Sequence, residues 1–356
     1  MAPDVGFSRH QLGEANFSFQ RTALKTPLLL LCLLLLFGTG TIEAKTLIQE
    51  SSWDKLSRRF LAYERPSQGE TLVISSIAPY RKPLSPQPVG RWSSKSQIPI
   101  PDQPAIQKYV RYYKGRGRVG FLTALKRSWP LVHIMADVLE SYGVPAELVY
   151  VVLVESHFNG KATSPKGAGG YWQLLGSTAR SLGLRVDRWV DERYDPIKST
   201  QAAAKYLRSS YDELHSWPLA LVAYNAGIAP AYKAVKQTGC KDFWELCRRG
   251  YFPQESRAFV PKILAAIKIA RDLESHDFEA PQYLPIYDFE SVWVRSPLKL
   301  QEVAKWSEVP VKQLRILNPS LCSDRLPPDR NRGFALRLPP GTREKFAAAY
   351  EGYLQR

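Results

Sequence analysis

Helical periodicity dominates the middle of the chain and limits the folds open to it more than any other feature. From about Pro104 to Asp277, apolar residues recur every three or four positions in one segment after another. The helix starts carry the usual signals: Pro145 stands at a favoured first-turn position, and Glu147 follows at the positive end of the helix dipole. We therefore predict that residues 104–280 form an all-α domain.

The pattern changes after this region. "DFESVWVRS" alternates apolar and polar residues like a strand, and "GFALRLPPG" does the same near the C-terminus. Between them, "LKLQEVAKWSEV" and "VKQLRILNPSL" have short helical patterns. This β-α-α-β order predicts a small second domain over residues 285–345. The expected fold class is thus mainly α, with a helical domain followed by a small β-α-α-β domain.

The N-terminal region has the layout of a secretory signal peptide. Arg21 and Lys25 precede the apolar run "PLLLLCLLLLF", and small residues follow up to Ala44. The run is well short of the roughly 20 residues that span a bilayer. We predict that residues 1–44 are a leader and that the mature chain is exported to the periplasm or cell envelope. Because the segment before the apolar run is long, an uncleaved membrane anchor remains an alternative.

The region after the leader is rich in proline, and the chain as a whole is strongly basic. Eight prolines lie between Pro66 and Pro104, so residues 45–103 are predicted to be an extended linker or a surface strap. The whole chain has 49 Lys and Arg against 33 Asp and Glu, a formal net charge of +16. Such a basic surface suits a polyanionic or carboxylate-bearing partner. The predicted export argues against nucleic acid as that partner.

The sequence does not indicate a metal or nucleotide site. Its five histidines are scattered without an HExxH spacing, and Cys240, Cys247 and Cys322 lack a zinc-type spacing. Cys240 and Cys247 could close a small disulfide loop in an exported chain, or all three could be free thiols. "GRGRVG", from Gly115, spells GxGxxG, but a helical pattern and not a strand precedes it. We expect a basic turn there, and no cofactor and no metal in the protein.

One short stretch, "YVVLVESHFN", raises a chemical question, because an almost unbroken apolar run ends at Glu155. An ionised carboxylate in an apolar setting costs several kcal/mol unless it is paired or protonated. One interpretation is a helix that simply reaches the surface at Glu155. The other is a partly desolvated carboxyl with a raised pKa, which is what a general acid at a glycosidic oxygen requires.

Two further segments supply groups that suit a carbohydrate cleft. "SPKGAGGYWQ" has glycines that let backbone approach a ligand, the ring of Trp172 and the amide of Gln173. "AYNAG" ends a second apolar helix with Tyr224 and Asn225. Amides bind sugar hydroxyls and N-acetyl groups, and flat rings stack on pyranose faces. The two rings could equally be core packing, and the two amides could equally cap helices or loops.

The order of these motifs resembles the lytic transglycosylase (SLT) family. The family has the same order of motifs: Glu155 with Ser156 comes first, followed by "SPKGAGGYWQ", "AYNAG" and the late "SRAFVPKI". The motifs are most similar to those of the membrane-bound lytic murein transglycosylase D type. The segment around "VAKWSEVPVKQLRILNPSL" resembles a LysM-like peptidoglycan-binding module.

The resemblance implies a lysozyme-like helical fold and a specific reaction. The family cleaves the β-1,4 bond from N-acetylmuramic acid to N-acetylglucosamine without water and forms a 1,6-anhydro end. Glu155 matches its single catalytic acid, which protonates the leaving oxygen and then takes the proton of the C6 hydroxyl. Gln173, Tyr224 and Asn225 match residues that contact the substrate, with Trp172 beside them, and Ser156 would steady Glu155.

Three residues depart from the family pattern: Tyr171, Ala229 and Phe259. Phe259 takes the place of a tyrosine whose hydroxyl lies near the acid, which bears on the rate or on the positioning of Glu155. Two other functions therefore stay open: a muramidase that admits water, and a non-catalytic wall-binding or scaffolding protein. In each case the expected partner is a peptidoglycan glycan strand, with proteins of the cell-wall machinery as further candidates.

Overall fold

The computed structural model describes residues 97–279, 287–328 and 333–355. The predicted leader, residues 1–44, and residues 45–96 of the proline-rich region lie outside these ranges, so both remain predictions. Within the described ranges, no helix combines the length and the apolar character needed to cross a membrane.

The first part of the chain is helical throughout, as the periodicity predicts. Short 3-10 turns separate some of its α-helices, at Ala146–Tyr150, Glu192–Tyr194 and Glu274–His276. The α-helices are α1 (Pro104–Lys114), α2 (Arg118–Ser128), α3 (Val132–Ser141), α4 (Val151–Ser156), α5 (Gly176–Ser181), α6 (Pro196–Leu214), α7 (Trp217–Ala226), α8 (Ile228–Thr238), α9 (Phe243–Arg248) and α10 (Gln254–Arg271).

These helices enclose one continuous apolar core. Helix α6 packs on α3 and α7, and α10 packs on α1, α4 and α7. The run "YVVLV" lies in the middle of this core: Val151, Val152 and Leu153 are fully buried. Complete burial of such a side chain stabilises the fold by roughly 1.5–3 kcal/mol. A run this apolar is therefore internal, and only the end of α4 reaches a cleft.

The start of this region differs from the prediction of a helix from Pro145. A 3-10 turn comes first, and the α-helix begins only at Val151. Glu147, predicted as an acid at the positive end of a helix, is instead fully buried and paired with Arg271, with 2.6 Å between Nη2 and Oε2. Glu147 Oε2 also accepts the N–H of Ile98 at 2.8 Å. The described end of the proline-rich region is thus fastened to α10.

The second domain has the predicted β-α-α-β order. Strands β1 (Glu290–Val294) and β2 (Phe334–Leu338) pair antiparallel, with Glu290 opposite Leu338 and Val294 opposite Phe334. Helices α11 (Leu300–Ser307) and α12 (Val311–Leu317) lie between them in sequence. The fold class predicted from the sequence is confirmed, whereas the exact domain boundaries stay a prediction.

A last helix, α13 (Arg343–Leu354), follows β2 and was not predicted. It packs on α11 and β1, and it adds Phe346 and Tyr350 to the apolar core of the second domain. Its apolar residues stand at positions 346, 350 and 353, a helical spacing that extends past the predicted limit of the domain.

The two domains are in direct contact and belong to one compact unit. Asp195, the N-cap of α6, pairs with Arg337 of β2 at 2.7 Å, and both side chains are almost fully buried. Two backbone hydrogen bonds lie beside this pair: the Asp191 N–H donates to Ser320 O, and the Cys322 N–H donates to Trp189 O. Polar groups of this kind are buried only when they are paired, so the contact has a defined geometry.

Candidate active site

Glu155 lies one residue before the end of α4 and is half-buried. The helix stops there because His157 and Phe158 both adopt left-handed backbone angles, with φ of 51° and 52°. The pKa of Glu155 is raised to about 7, mainly by burial and then by the charge of Glu255, while Lys262 opposes both. Near neutral pH this carboxyl is therefore partly protonated, which a general acid needs.

Ser156 fastens the acid-bearing helix to the Gly-rich loop, residues 159–173. It is buried, and its hydroxyl donates to Tyr171 O at 2.8 Å and to Val152 O at 3.2 Å. We predicted that Ser156 belongs to the site and steadies Glu155. Its position beside the acid, with the hydroxyl already engaged, suits a bracing role more than a contact with substrate.

Gln173 ends the Gly-rich loop in a left-handed conformation, with φ of 49°. Its side-chain amide donates to Gly170 O at 2.8 Å and to Ala162 O at 3.2 Å. Gly170 cannot carry a side chain, because a Cβ there would lie 1.9 Å from Arg193 O. The loop is thus tightly closed, and within the described residues the Gln173 Oε1 has no donor, so it is available to accept a hydrogen bond from a ligand.

Trp172 does not occupy the position that its predicted role requires. The side chain is completely buried, and its indole N–H donates to Thr200 Oγ1 at 2.8 Å. Stacking on a sugar needs an exposed ring face. The prediction that Trp172 contacts substrate is therefore not compatible with this placement, and the ring instead supports the loop from the core side.

Tyr224 and Asn225 reach the same cleft from the end of α7. The Tyr224 hydroxyl donates to Trp172 O at 2.6 Å, and the charge of Glu155 contributes to its raised pKa, after burial. Asn225 Oδ1 accepts from Ser256 Oγ at 2.7 Å, and its amide makes a weak hydrogen bond of 3.5 Å to Glu255. Both are half-buried. The structure thus brings all three predicted segments together around Glu155.

Helix α7 ends at Gly227, whose backbone angles make the turn into α8. Its φ of 80° and ψ of 163° are essentially restricted to glycine. The bend leaves Asn225 at the helix end, facing the start of α10. Ala229, which departs from the family pattern, lies just beyond the bend in α8 and is exposed.

Two charged residues of α10 were missed in the sequence analysis. Glu255 is exposed at the start of the helix, Lys262 is half-buried two turns later, and both act on the pKa of Glu155. Phe259 stands between them, buried, at a spacing that places all three on one face of the helix. The sequence does show the spacing of these charges around "SRAFVPKI". No feature of that segment, however, indicates that this face of α10 lies next to Glu155.

The described part of the chain contains no group of three or more His, Cys, Asp or Glu side chains arranged to hold a metal ion. Cys240, Cys247 and Cys322 are free thiols in this structure.

Two stretches of the chain match known protein families. Residues 135–247 match the family described as the transglycosylase SLT domain, and residues 288–353 match the LysM-like domain of the lytic transglycosylase MltD. The chain contains an SLT domain followed by an MltD-type LysM-like domain. The resemblance drawn from the motifs is confirmed. The first range lies within the described helical part, and the second covers the β-α-α-β part, of which residues 329–332 are not described.

Several curated relatives share these domains. The chain is 31% identical over 231 residues to membrane-bound lytic murein transglycosylase D of Escherichia coli K12, which covers 63% of this chain and 49% of that protein. It is 37% identical over 102 residues to membrane-bound lytic murein transglycosylase F of Cronobacter sakazakii, covering 25% of this chain and 18% of that protein. The chain thus spans about half the length of the first of these relatives.

Among solved structures, the chain aligns with the 70 kDa soluble lytic transglycosylase of Escherichia coli. The TM-score is 0.37 and the sequence identity 18%, over 49% of this chain and 32% of that one. The assignment of the two domains rests on the family matches.

Proposed function

We propose that this chain is a lytic transglycosylase that cleaves the β-1,4 bond from N-acetylmuramic acid to N-acetylglucosamine in peptidoglycan and leaves 1,6-anhydro ends. The observation that carries the proposal is Glu155: a half-buried carboxyl with a pKa of about 7, at the end of a buried helix. The SLT domain and the names of the relatives support the same reaction class.

In the proposed reaction, Glu155 acts twice. It first donates its proton to the glycosidic oxygen while the bond from that oxygen to C1 breaks. Its carboxylate then accepts the proton of the C6 hydroxyl, whose oxygen bonds to C1 and closes the anhydro ring. A pKa near the working pH serves both halves, because the group must be protonated at the start and ionised in the middle. Gln173 and Asn225 would hold the sugar's amide and hydroxyl groups.

The substrate also defines where the protein acts. A glycan strand of the wall is reached only outside the cytoplasm, which fits the predicted leader and an envelope location. The LysM-like domain, joined to the helical domain by the Asp195–Arg337 pair, would hold the wall beside the cleft. Other proteins of the cell-wall machinery remain candidate partners.

A hydrolytic muramidase is the second candidate, and one observation favours it. Glu255 is exposed and close enough to Glu155 to influence its pKa. Hydrolases that invert at C1 use one carboxylic acid and a second carboxylate that activates water between them. In that case Glu255 would be the base, and the products would carry reducing ends.

Mass spectrometry of fragments released from purified sacculi separates these possibilities. The full chain is compared with Glu155→Gln and with Glu213→Gln, an exposed glutamate on α6 that serves as the matched control. Anhydro ends that disappear only in Glu155→Gln are the expected result. Reducing ends that depend on Glu255 would contradict the transglycosylase, and sacculus binding without release would indicate a wall-binding protein.

A further inference from the structure

A cavity of about 690 Å³ opens between the helical domain and the LysM-like domain. Residues 158–161 and Tyr171 line it on the helical side, and residues 315, 316 and 318 line it on the other side. Small-molecule sites in proteins typically have volumes of about 300–1,000 Å³. The cavity is therefore large enough for a short peptide or a sugar, and both domains are needed to form it.

The charged residues that line the cavity are all basic. They are Arg127 and Lys161 from the helical domain, and Lys312 and Arg315 from the LysM-like domain. Arg315 pairs with Asp324, which lies outside the cavity. For Arg127, Lys161 and Lys312 the described residues provide no ion pair. The three cations without an ion pair repel one another across this space, and an anionic occupant relieves that repulsion.

The rest of the lining is mainly apolar or aromatic, together with the amides of Asn159 and Asn318. Phe158, Tyr171 and Ile316 contribute apolar surface, and Ile316 is 60% exposed on the LysM-like side. Tyr171 lies so close over Gly160 that a Cβ there would be 2.4 Å from the ring. The Tyr171 hydroxyl has no hydrogen-bond partner in the described ranges. Tyr171 is one of the three residues that depart from the family pattern, and it adds both a ring face and a polar group to the cavity.

The cavity and the proposed active site share one segment of the chain, the Gly-rich loop. Its residues 158–161 follow Glu155 within six positions, and the backbone oxygen of Tyr171 accepts the hydroxyl of Ser156. A molecule in the cavity would thus contact the same loop that Ser156 fastens to the acid-bearing helix. The buried Asp195–Arg337 pair holds the two walls together.

We infer that this cavity binds the carboxylate-bearing peptide branches of peptidoglycan, an inference that rests on the proposed function. The peptide is attached to the same muramic acid units that enter the cleft, so part of it must lie close to Glu155. Lysine and arginine side chains at the rim recognise its carboxylates, and the apolar faces accommodate its side chains. The second domain thereby selects peptide-substituted wall instead of bare glycan.

Isothermal titration with the tripeptide L-Ala-γ-D-Glu-meso-diaminopimelate tests this directly. The full chain is compared with the double variant Lys161→Gln/Lys312→Gln, which removes one cation from each wall of the cavity. The control is Lys126→Gln/Lys305→Gln, with the same charge change at exposed lysines of α2 and α11 outside the cavity. We expect the cavity variant to bind about tenfold more weakly and the control to bind like the unmodified chain.

Three results would overturn the inference: no binding of the tripeptide to the unmodified chain, equal binding by the cavity variant, or equal binding of a tripeptide whose carboxylates are amidated. Thermal melting of both variants checks that they are folded. Glu155→Gln should bind the tripeptide normally. If the chain releases nothing from sacculi while tripeptide binding depends on the two lysines, the proposed function fails and the cavity assignment stands. If the chain releases fragments from sacculi but tripeptide binding does not depend on the two lysines, the proposed function stands and the cavity assignment fails.

Discussion

The pKa of Glu155 should respond in opposite directions to two neutralising substitutions on α10. Its pKa of about 7 stands well above the ordinary value of 4.5, which corresponds to about 3.4 kcal/mol between the two protonation states. Burial is the largest cause, the charge of Glu255 is the second, and Lys262 acts against both. Neither substitution alters the burial that "YVVLV" provides.

The size of each effect follows from that order. Glu255→Gln removes a negative charge that disfavours ionisation, so we expect the pKa of Glu155 to fall by about one pH unit. Lys262→Gln removes a positive charge that favours ionisation, so we expect a rise of about half a pH unit. Because Glu255 is exposed, its effect should be largest at low salt and should shrink as the ionic strength increases.

The pH dependence of kcat/KM on isolated glycan strands is the assay. A general acid loses activity as pH rises through its pKa, so the alkaline limb of the unmodified chain is expected near pH 7. The limb should move to lower pH in Glu255→Gln and to higher pH in Lys262→Gln, and stay in place in Glu213→Gln. NMR titration of the labelled Glu155 carboxyl gives the same quantity without turnover.

A limb that moves in the same direction in both α10 variants would refute the electrostatic explanation. So would a limb that stays in place in both while the NMR titration of Glu155 is also unchanged. If instead activity is abolished in Glu255→Gln and the pKa of Glu155 is unaffected, Glu255 takes part in the reaction itself, as the hydrolytic mechanism requires.

Two further predictions concern stability, measured by urea denaturation. Glu155→Gln should stabilise the fold at pH 8 by up to about 3 kcal/mol, and not at pH 4. The raised pKa means that the folded wild-type chain loses stability as pH rises from about 4.5 to about 7, and glutamine has no such loss. Arg337→Met should destabilise by about 3–5 kcal/mol, because it leaves the buried Asp195 unpaired. Adding Asp195→Asn should recover part of that loss, and an additive double variant would contradict the pairing.

Local periodicity was sufficient to predict most of the fold. The helical character of residues 104–280 and the β-α-α-β order each leave a periodic pattern in the sequence, whereas the short helices α5 and α9 and the helix α8 were not predicted individually. The 3-10 turn at Ala146–Tyr150 left none, because five consecutive buried residues have no polar side from which to infer the helix type. Helix α13 did leave a pattern, at 346, 350 and 353, and was missed because the domain was ended at 345.

The residues of the site were likewise predictable only where a pattern within one segment of the sequence indicates them. Glu155, Gln173, Tyr224 and Asn225 were predicted because each ends or follows a recognisable segment, and the structure brings these segments together. Trp172 was misplaced because an aromatic ring beside a Gly-rich loop has the same signature whether it faces the ligand or the core. Only the hydrogen bond from its indole to Thr200, 28 residues away in sequence, resolves that choice.

The pKa of Glu155 depends on residues next to it in the sequence and on residues far from it in the sequence. Burial comes from the apolar run that precedes Glu155, so a raised pKa could be anticipated from ten residues of sequence. The opposing influences of Glu255 and Lys262 come from a helix about 100 residues later, whose contact with α4 exists only in the folded chain. Substitutions within "YVVLV" should therefore change stability and pKa together. Neutralising Glu255 or Lys262 on α10 should change the pKa without removing buried apolar contacts, so the change in stability should be confined to pH values above about 4.5, where it follows the protonation of Glu155. These two positions are therefore the place to tune the pH dependence of the proposed reaction.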